Sequence, residues 1–307
     1  MLVLLICILT VVILAGSWYA YRIAFYAPTK NRDKVNNPKD PQYDPYRTEM
    51  KRIFHQLNDR PYERVSIVTR DGLTLSGRYY HVKDNAPLDI GFHGYRSHPV
   101  TDFSGGSELS FLLEHNLLLV DQRAHGKSDG RTISFGILER QDLLCWVEYA
   151  IRRFGTDVQI LLYGVSMGGA TVLMASELDL PANVKGIIAD CPFANPLDVI
   201  LHVGKSTAFP QALIKPFAIL GAKIYGGFDL LETDAVQAVQ NTKVPILILH
   251  GEADTYVPCQ MSESAANANP AMVQRHTFPG AAHGISYLVD TPRYHEIVKT
   301  FISNVLS

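Results

Sequence analysis

A chain of 307 residues, 47% hydrophobic and with a formal net charge of -2, argues against a polyanion as partner. A domain of roughly 250 residues buries about three quarters of the surface its unfolded chain exposes, so one large domain plus an appendage fits better than two equal domains. No basic run is interleaved with aromatics, and nucleic acid is not an expected partner.

The chain opens on an apolar segment. Met1 to Ala20 carries no charged side chain, and Leu, Val and Ile dominate up to Leu14. An apolar run of about 20 residues matches the bilayer core as a helix. Trp18, Tyr19, Tyr21 and Tyr26 follow, as an interfacial belt would. A cleaved signal peptide is the competing reading and needs a basic n-region and a small-x-small cleavage site. Only Met1 precedes the apolar run, and bulky aromatics come directly after Ala15-Gly16-Ser17. A single-pass anchor over residues 1–26 is therefore expected, with the chain at the cell membrane. Arg22, Lys30, Arg32 and Lys34 all follow the span, which by the positive-inside rule puts the C-terminal domain in the cytoplasm.

Pro28, Pro38, Pro41 and Pro45 mark an extended linker, followed by a short helix from Tyr46 to Asn58; together they fill residues 27–61. The domain proper is expected over 62–307. Arg64 to Thr69 alternates like a strand, Asp71-Gly72 is a hairpin signal, and Leu73 to Val82 returns. Leu88 to Phe92 is a third strand, Gly106 to Glu114 a helix, and Leu117 to Val120 a fully apolar fourth strand. Helices and strands then alternate: a helix at 137–154, a strand at 158–163, a helix at 168–178 and a strand at 184–189. Loop-rich helical sequence fills 192–240. Strands at 244–249 and 274–278 and a helix at 292–306 close the chain. Such alternation indicates a mostly parallel sheet with helices on both faces.

Gly164-Val165-Ser166-Met167-Gly168 is G-x-S-x-G, set between a buried strand and a helix. That context predicts a sharp turn with the Ser166 hydroxyl exposed. A serine hydroxyl is a weak nucleophile without a base. His283, within Ala281-Ala282-His283-Gly284, follows the last strand, and Asp254 follows the strand that ends near Leu249. The order serine, acid, histidine makes Ser166 nucleophile, His283 base and Asp254 its orienting acid. Glu252 and Asp190 remain rivals for the acid. An oxyanion needs preorganised N–H donors. The Met167 amide is one candidate, and Tyr95 in His93-Gly94-Tyr95 supplies the other. His93 is assigned a structural role, as is Asp121 to Ser128, which shapes a turn.

Four cysteines, Cys7, Cys145, Cys191 and Cys259, are far apart and form no C-x-x-C pair. Buried or free thiols are expected rather than a disulfide framework or a zinc site, although one bridge stays open. No metal or cofactor is called for.

These features in order resemble the α/β-hydrolase superfamily: H-G-Y, D-x-R-x-H-G-x-S, G-V-S-M-G-G, D-x-x-V-P and a final A-A-H-G. The resemblance covers the chain from about Tyr62 onward. The apolar N-terminus, the D-G-L-x-L-x-G hairpin and Phe135-Gly136-x-x-Glu139 are similar to membrane-anchored bacterial esterase-like members related to the Bem46 and prolyl-oligopeptidase-like groups. One departure is Ala124, where the family usually has Gly. The resemblance implies an α/β-hydrolase fold with an eight-stranded, mostly parallel sheet. It also implies a small helical lid over residues 192–240. That insertion is apolar, with Phe193, Val199, Ile200, Phe209, Ile214 and Phe217 among its residues. A lipophilic ester cleaved through an acyl-enzyme is the expected reaction. A peptidase or amidase using the same triad remains the alternative, with a non-catalytic binding module less favoured.

Overall fold

A computed structural model describes residues 1–29, 40–206 and 210–307. Lys30, Arg32, Lys34 and Pro38, used above for orientation and linker, and Phe209 of the lid lie outside them. The described residues form eight strands in one sheet, ordered β1-β2-β4-β3-β5-β6-β7-β8. The strands are β1 (Glu63–Val68), β2 (Thr74–Tyr80), β3 (Leu88–Phe92), β4 (Asn116–Val120), β5 (Ile160–Val165), β6 (Val184–Asp190), β7 (Ile246–Gly251) and β8 (Val273–Phe278). β2 pairs antiparallel with β1 and β4, and every other pairing is parallel. The helices are α1 (Leu2–Ala20), α2 (Arg47–Asn58), α3 (Pro99–Leu112), α4 (Glu139–Phe154), α5 (Met167–Ala175) and α6 (Pro196–Gly204). They continue with α7 (Gln211–Gly221), α8 (Ala235–Val239), α9 (Cys259–Ala268), α10 (Ser286–Val289) and α11 (Thr291–Leu306).

The buried strands feed two apolar layers by simple alternation. Leu118 and Val120 of β4 face the layer holding Trp146 of α4 and Val172 of α5. Leu117 and Leu119 face the layer of Phe103 from α3 and Phe301 from α11. Ile246 and Ile248 of β7 divide from Leu247 and Leu249 in the same way. A run apolar at every position is what a strand covered on both faces requires. Each such side chain contributes about 1.5–3 kcal/mol relative to exposure.

Four elements differ from the sequence expectation. Helix α3 begins at Pro99, with the His98 ring accepting from the Val100 N–H, not at Gly106. Pro41–Tyr46 forms a 3-10 turn capped by Asp40, where an extended linker was expected. Helices α9 and α10 fall where no helix was expected. At the other end, α1 passes into a single π turn at Tyr21–Phe25. Its side chain Phe25 is fully buried in the core, and the Ile133 N–H donates to the Phe25 carbonyl at 2.7 Å.

The segment Asp121 to Ser128 ties the sheet together. The Arg123 guanidinium donates twice to Asp142 of α4, at 2.6 Å each, and to Asp71 of the β1–β2 hairpin at 3.0 Å. Arg123 and Asp142 are both buried. An Arg123→Ala variant leaves Asp142 buried without its partner. A loss of about 3–5 kcal/mol is expected, read as a lower denaturant midpoint with an unchanged slope. Ala124 holds φ at +63°, a left-handed backbone that costs a non-glycine residue roughly 1–2 kcal/mol.

Candidate active site

Strand β5 ends and α5 begins with one residue between them, Ser166, whose φ of 55° and ψ of -115° lie outside the usual allowed regions. The turn closes only because its flanks lack side chains. A Cβ on Gly164 would lie 2.1 Å from the Gly168 carbonyl oxygen, and one on Gly168 would lie 1.8 Å from that of Phe92. The Ser166 N–H donates to the Asp190 carbonyl at 2.8 Å, which fixes the turn to the end of β6.

The loops after β7 and β8 bring Asp254 and His283 to this serine. His283 Nε2 lies 2.9 Å from Ser166 Oγ, and His283 Nδ1 lies 2.6 Å from Asp254 Oδ2. This network assigns the tautomer: Nδ1–H donates to Asp254, and Nε2 accepts from the serine. Asp254 Oδ1 accepts from the Tyr256 and Val257 N–H groups, both at 2.9 Å. His250 Nε2 donates to the Val257 carbonyl at 2.9 Å and lies 3.2 Å from Asp254 Oδ2. Burial works to raise the Asp254 pKa, but hydrogen bonds from His250 and His283 outweigh it and hold the carboxyl well below the usual range. Burial likewise works to lower His283, and the Asp254 hydrogen bond and charge outweigh it, so the imidazole is raised above its ordinary value.

The two rival acids are engaged elsewhere. Glu252 accepts from the Thr277 hydroxyl at 2.6 Å on the surface. Asp190 accepts from Tyr294 at 3.0 Å and is buried, and that burial pushes its pKa up to about 7.

The loop after β3 is shaped by Asp102 of α3, which sequence reasoning did not single out. Its carboxylate accepts from the Gly94 N–H and from the Ser97 hydroxyl, both at 2.6 Å. Among the described residues, the Tyr95 and Met167 amides donate to no other group. Nδ1–H of His93 donates to the Gly94 carbonyl at 2.8 Å, and its Nε2 accepts from the Gln122 N–H at 3.2 Å. Burial depresses that imidazole to about 4, so it serves as a neutral strut. The Arg96 N–H donates to His125 Nε2 at 3.0 Å.

The same loop is pinned to the end of α1. The Tyr95 hydroxyl donates to the Ala24 carbonyl at 2.8 Å. The Arg96 guanidinium donates to the Ile23 and Tyr26 carbonyls at 2.7 and 3.0 Å. Phe135 stacks on Tyr95 with ring centroids 4.9 Å apart and meets Phe25 edge-on at 5.8 Å. No local sequence signal marks these ties. Nor does one mark Tyr43, whose hydroxyl donates to the His283 carbonyl at 3.1 Å, or Tyr256, whose ring lies edge-on to His283 at 5.8 Å.

A cavity of about 1000 Å³ opens above Ser166 and His283, walled by Phe135, Phe193, Val199 and Ile200 of α6 and Ile214 of α7. Tyr95 and Met167 also line it. Cys191, Asp254 and His283 offer three possible ligand atoms within 4.8 Å of one another. Two of these residues already bond each other, and burial raises the Cys191 thiol well above its ordinary value. That disfavours the thiolate a metal takes.

Comparison with known proteins agrees with this architecture. The sequence profile of the prolyl oligopeptidase family matches residues 135–307. The Bacillus subtilis protein YqkD is 24% identical over 301 residues, spanning 97% of this chain and 95% of its own. Among solved structures, the fold is similar to the Pyrococcus furiosus esterase Pf2001, with TM-score 0.68 and 22% identity over 89% of this chain and 98% of that one. It is similar also to Est1E of Butyrivibrio proteoclasticus, solved with ferulic acid bound, with TM-score 0.62 and 22% identity over 80% of this chain and 99% of that one.

Proposed function

The chain belongs to the prolyl oligopeptidase family and has the α/β-hydrolase fold, and from that premise we propose that it hydrolyses carboxylic esters of lipophilic acyl groups through Ser166, His283 and Asp254. The observation that carries the reading is the unbroken hydrogen-bond chain from Ser166 through His283 to Asp254 at the floor of an apolar cavity.

Ser166 Oγ attacks the ester carbonyl carbon while His283 Nε2 takes its proton. Asp254 holds the ring tautomer and stabilises the imidazolium. The oxyanion is held by the Tyr95 and Met167 N–H groups. The tetrahedral adduct collapses, and the alcohol leaves with the proton from His283. Water then attacks the acyl-enzyme by the same steps in reverse, and His283 again takes and returns the proton.

The test uses the full chain in detergent with p-nitrophenyl esters of increasing acyl length. Each methylene that enters an apolar pocket contributes about 0.8 kcal/mol. kcat/KM should therefore climb roughly fourfold per methylene until the cavity is full. The name of the family favours a second reading, peptide or amide cleavage by the same residues. If no ester is cleaved, yet a fluorophosphonate labels Ser166 and a peptide amide is hydrolysed, that second reading replaces the first.

A further inference from the structure

We infer that the substrate is a membrane-resident ester lipid that enters the cavity sideways from the bilayer, between the end of α1 and the lid; this rests on the ester-hydrolase reading above. The apolar stretch Leu2–Phe25 is long enough to span a bilayer. Helix α1 has 19 residues, about 28 Å at 1.5 Å per residue, close to the ~30 Å hydrocarbon core. Its last turns carry the marks of the boundary. Trp18 and Tyr19 are half exposed, and the Arg22 guanidinium lies 3.8 Å above the Tyr26 ring and 5.8 Å from that of Trp18. Aromatic rings and a cation at one level mark the headgroup region.

Those same turns are a wall of the cavity. Tyr19, Ala20, Ile23 and Ala24 line it, as do Val203 and Ile214 of the lid. Ester carbonyls of lipids lie at the headgroup–acyl boundary, the level at which this wall stands.

The lid is built to lie at that level too. Helix α7 packs directly on α1. A Cβ on Gly221 would come within 2.6 Å of the Ser17 carbonyl oxygen, and the Tyr225 hydroxyl donates to the Leu14 carbonyl at 3.1 Å. An element touching Leu14 and Ser17 must sit against the bilayer that α1 crosses. Its outer side chains suit that place: Leu213 is 42% exposed and Ile224 48% exposed. No acidic residue occurs between Asp198 and Asp229, while Lys205, Lys215 and Lys223 do. An exposed apolar surface edged by cations binds the membrane interface.

The experiment places the full chain in phosphatidylcholine vesicles with deuterated diolein and adds separate vesicles holding unlabelled diolein. p-Nitrophenyl butyrate in the water reports the chemistry itself. Lateral entry predicts butyrate hydrolysis and at least tenfold more deuterated than unlabelled oleate. Equal release of the two oleates overturns lateral entry. So does butyrate hydrolysis with no oleate from either vesicle, which leaves the ester-hydrolase reading intact. If butyrate too is untouched, that reading fails and takes this inference with it. A Leu213→Glu/Ile224→Glu double variant, altered at residues that do not line the cavity, separates lateral entry from mere tethering. Its diolein hydrolysis should fall at least tenfold with butyrate hydrolysis retained. Wild-type rates on both substrates would show that the lid does not face lipid.

Discussion

Ser166→Ala should lower kcat for ester hydrolysis by roughly 10⁴- to 10⁶-fold, the range seen when a triad member is removed. The reason is local and chemical. The substitution deletes the one oxygen that His283 Nε2 reaches at 2.9 Å, and no other hydroxyl is bonded to that nitrogen among the described residues. It should not unfold the protein. The turn at Ser166 is held by backbone contacts, with its N–H on the Asp190 carbonyl and its own carbonyl accepting from Ala170, and alanine keeps both. Steady-state kinetics beside a thermal melt checks this. A variant that retains a tenth of wild-type kcat with an unchanged melting temperature would remove Ser166 from the chemistry.

Asp254→Asn should cost roughly 10⁴-fold in kcat, as expected when the orienting acid becomes an amide and the wrong tautomer is favoured. The pH profile supplies the second readout. The base must be neutral to work, so activity falls as pH drops through the His283 pKa. In the wild type that pKa is raised, because the Asp254 hydrogen bond and charge outweigh burial. Replacing the carboxylate removes that charged hydrogen-bond partner and leaves the burial, so the acid limb of kcat/KM must move to lower pH. Asp190→Asn is the control for the rival assignment. Asp190 bonds Tyr294 rather than the imidazole, so its variant should keep the rate within about threefold, a modest effect for a residue outside the triad. If Asp190→Asn shows the large loss and Asp254→Asn the small one, the two roles are exchanged.

What the sequence made legible was local. G-x-S-x-G between a strand and a helix announces a turn, and the glycines at 164 and 168 are where the chain passes too close for any Cβ. Alternation and apolar runs mark the strands because each buried strand must satisfy two layers. What stayed hidden depends on distant partners. From sequence the helix starts only at Gly106, whereas α3 runs through both Gly105 and Gly106. In fact a Cβ there would lie 2.5 Å from the Tyr287 ring or 2.8 Å from the Tyr163 ring, so these glycines admit rings from elsewhere in the chain. Helix α9 was missed because its buried face is Ser262, Ala265 and Ala266, too small to give an apolar stripe. Asp102 and His250 could not be ranked among the many polar residues, since their importance lies in the loop and the carboxylate that they hold. Ala124, noted as a departure from the family pattern, does occupy a position where the backbone favours glycine.

The hydrogen bonds from Tyr95 and Arg96 to Ile23, Ala24 and Tyr26 bear on what loss of the N-terminal helix would mean. A copy clipped by a protease just after Tyr26 would leave behind the acceptors that fasten the loop beside Ser166. It would also leave behind Phe25, a fully buried core side chain. Under the ester-hydrolase reading proposed above, losing that segment would thus extinguish the activity rather than spread it.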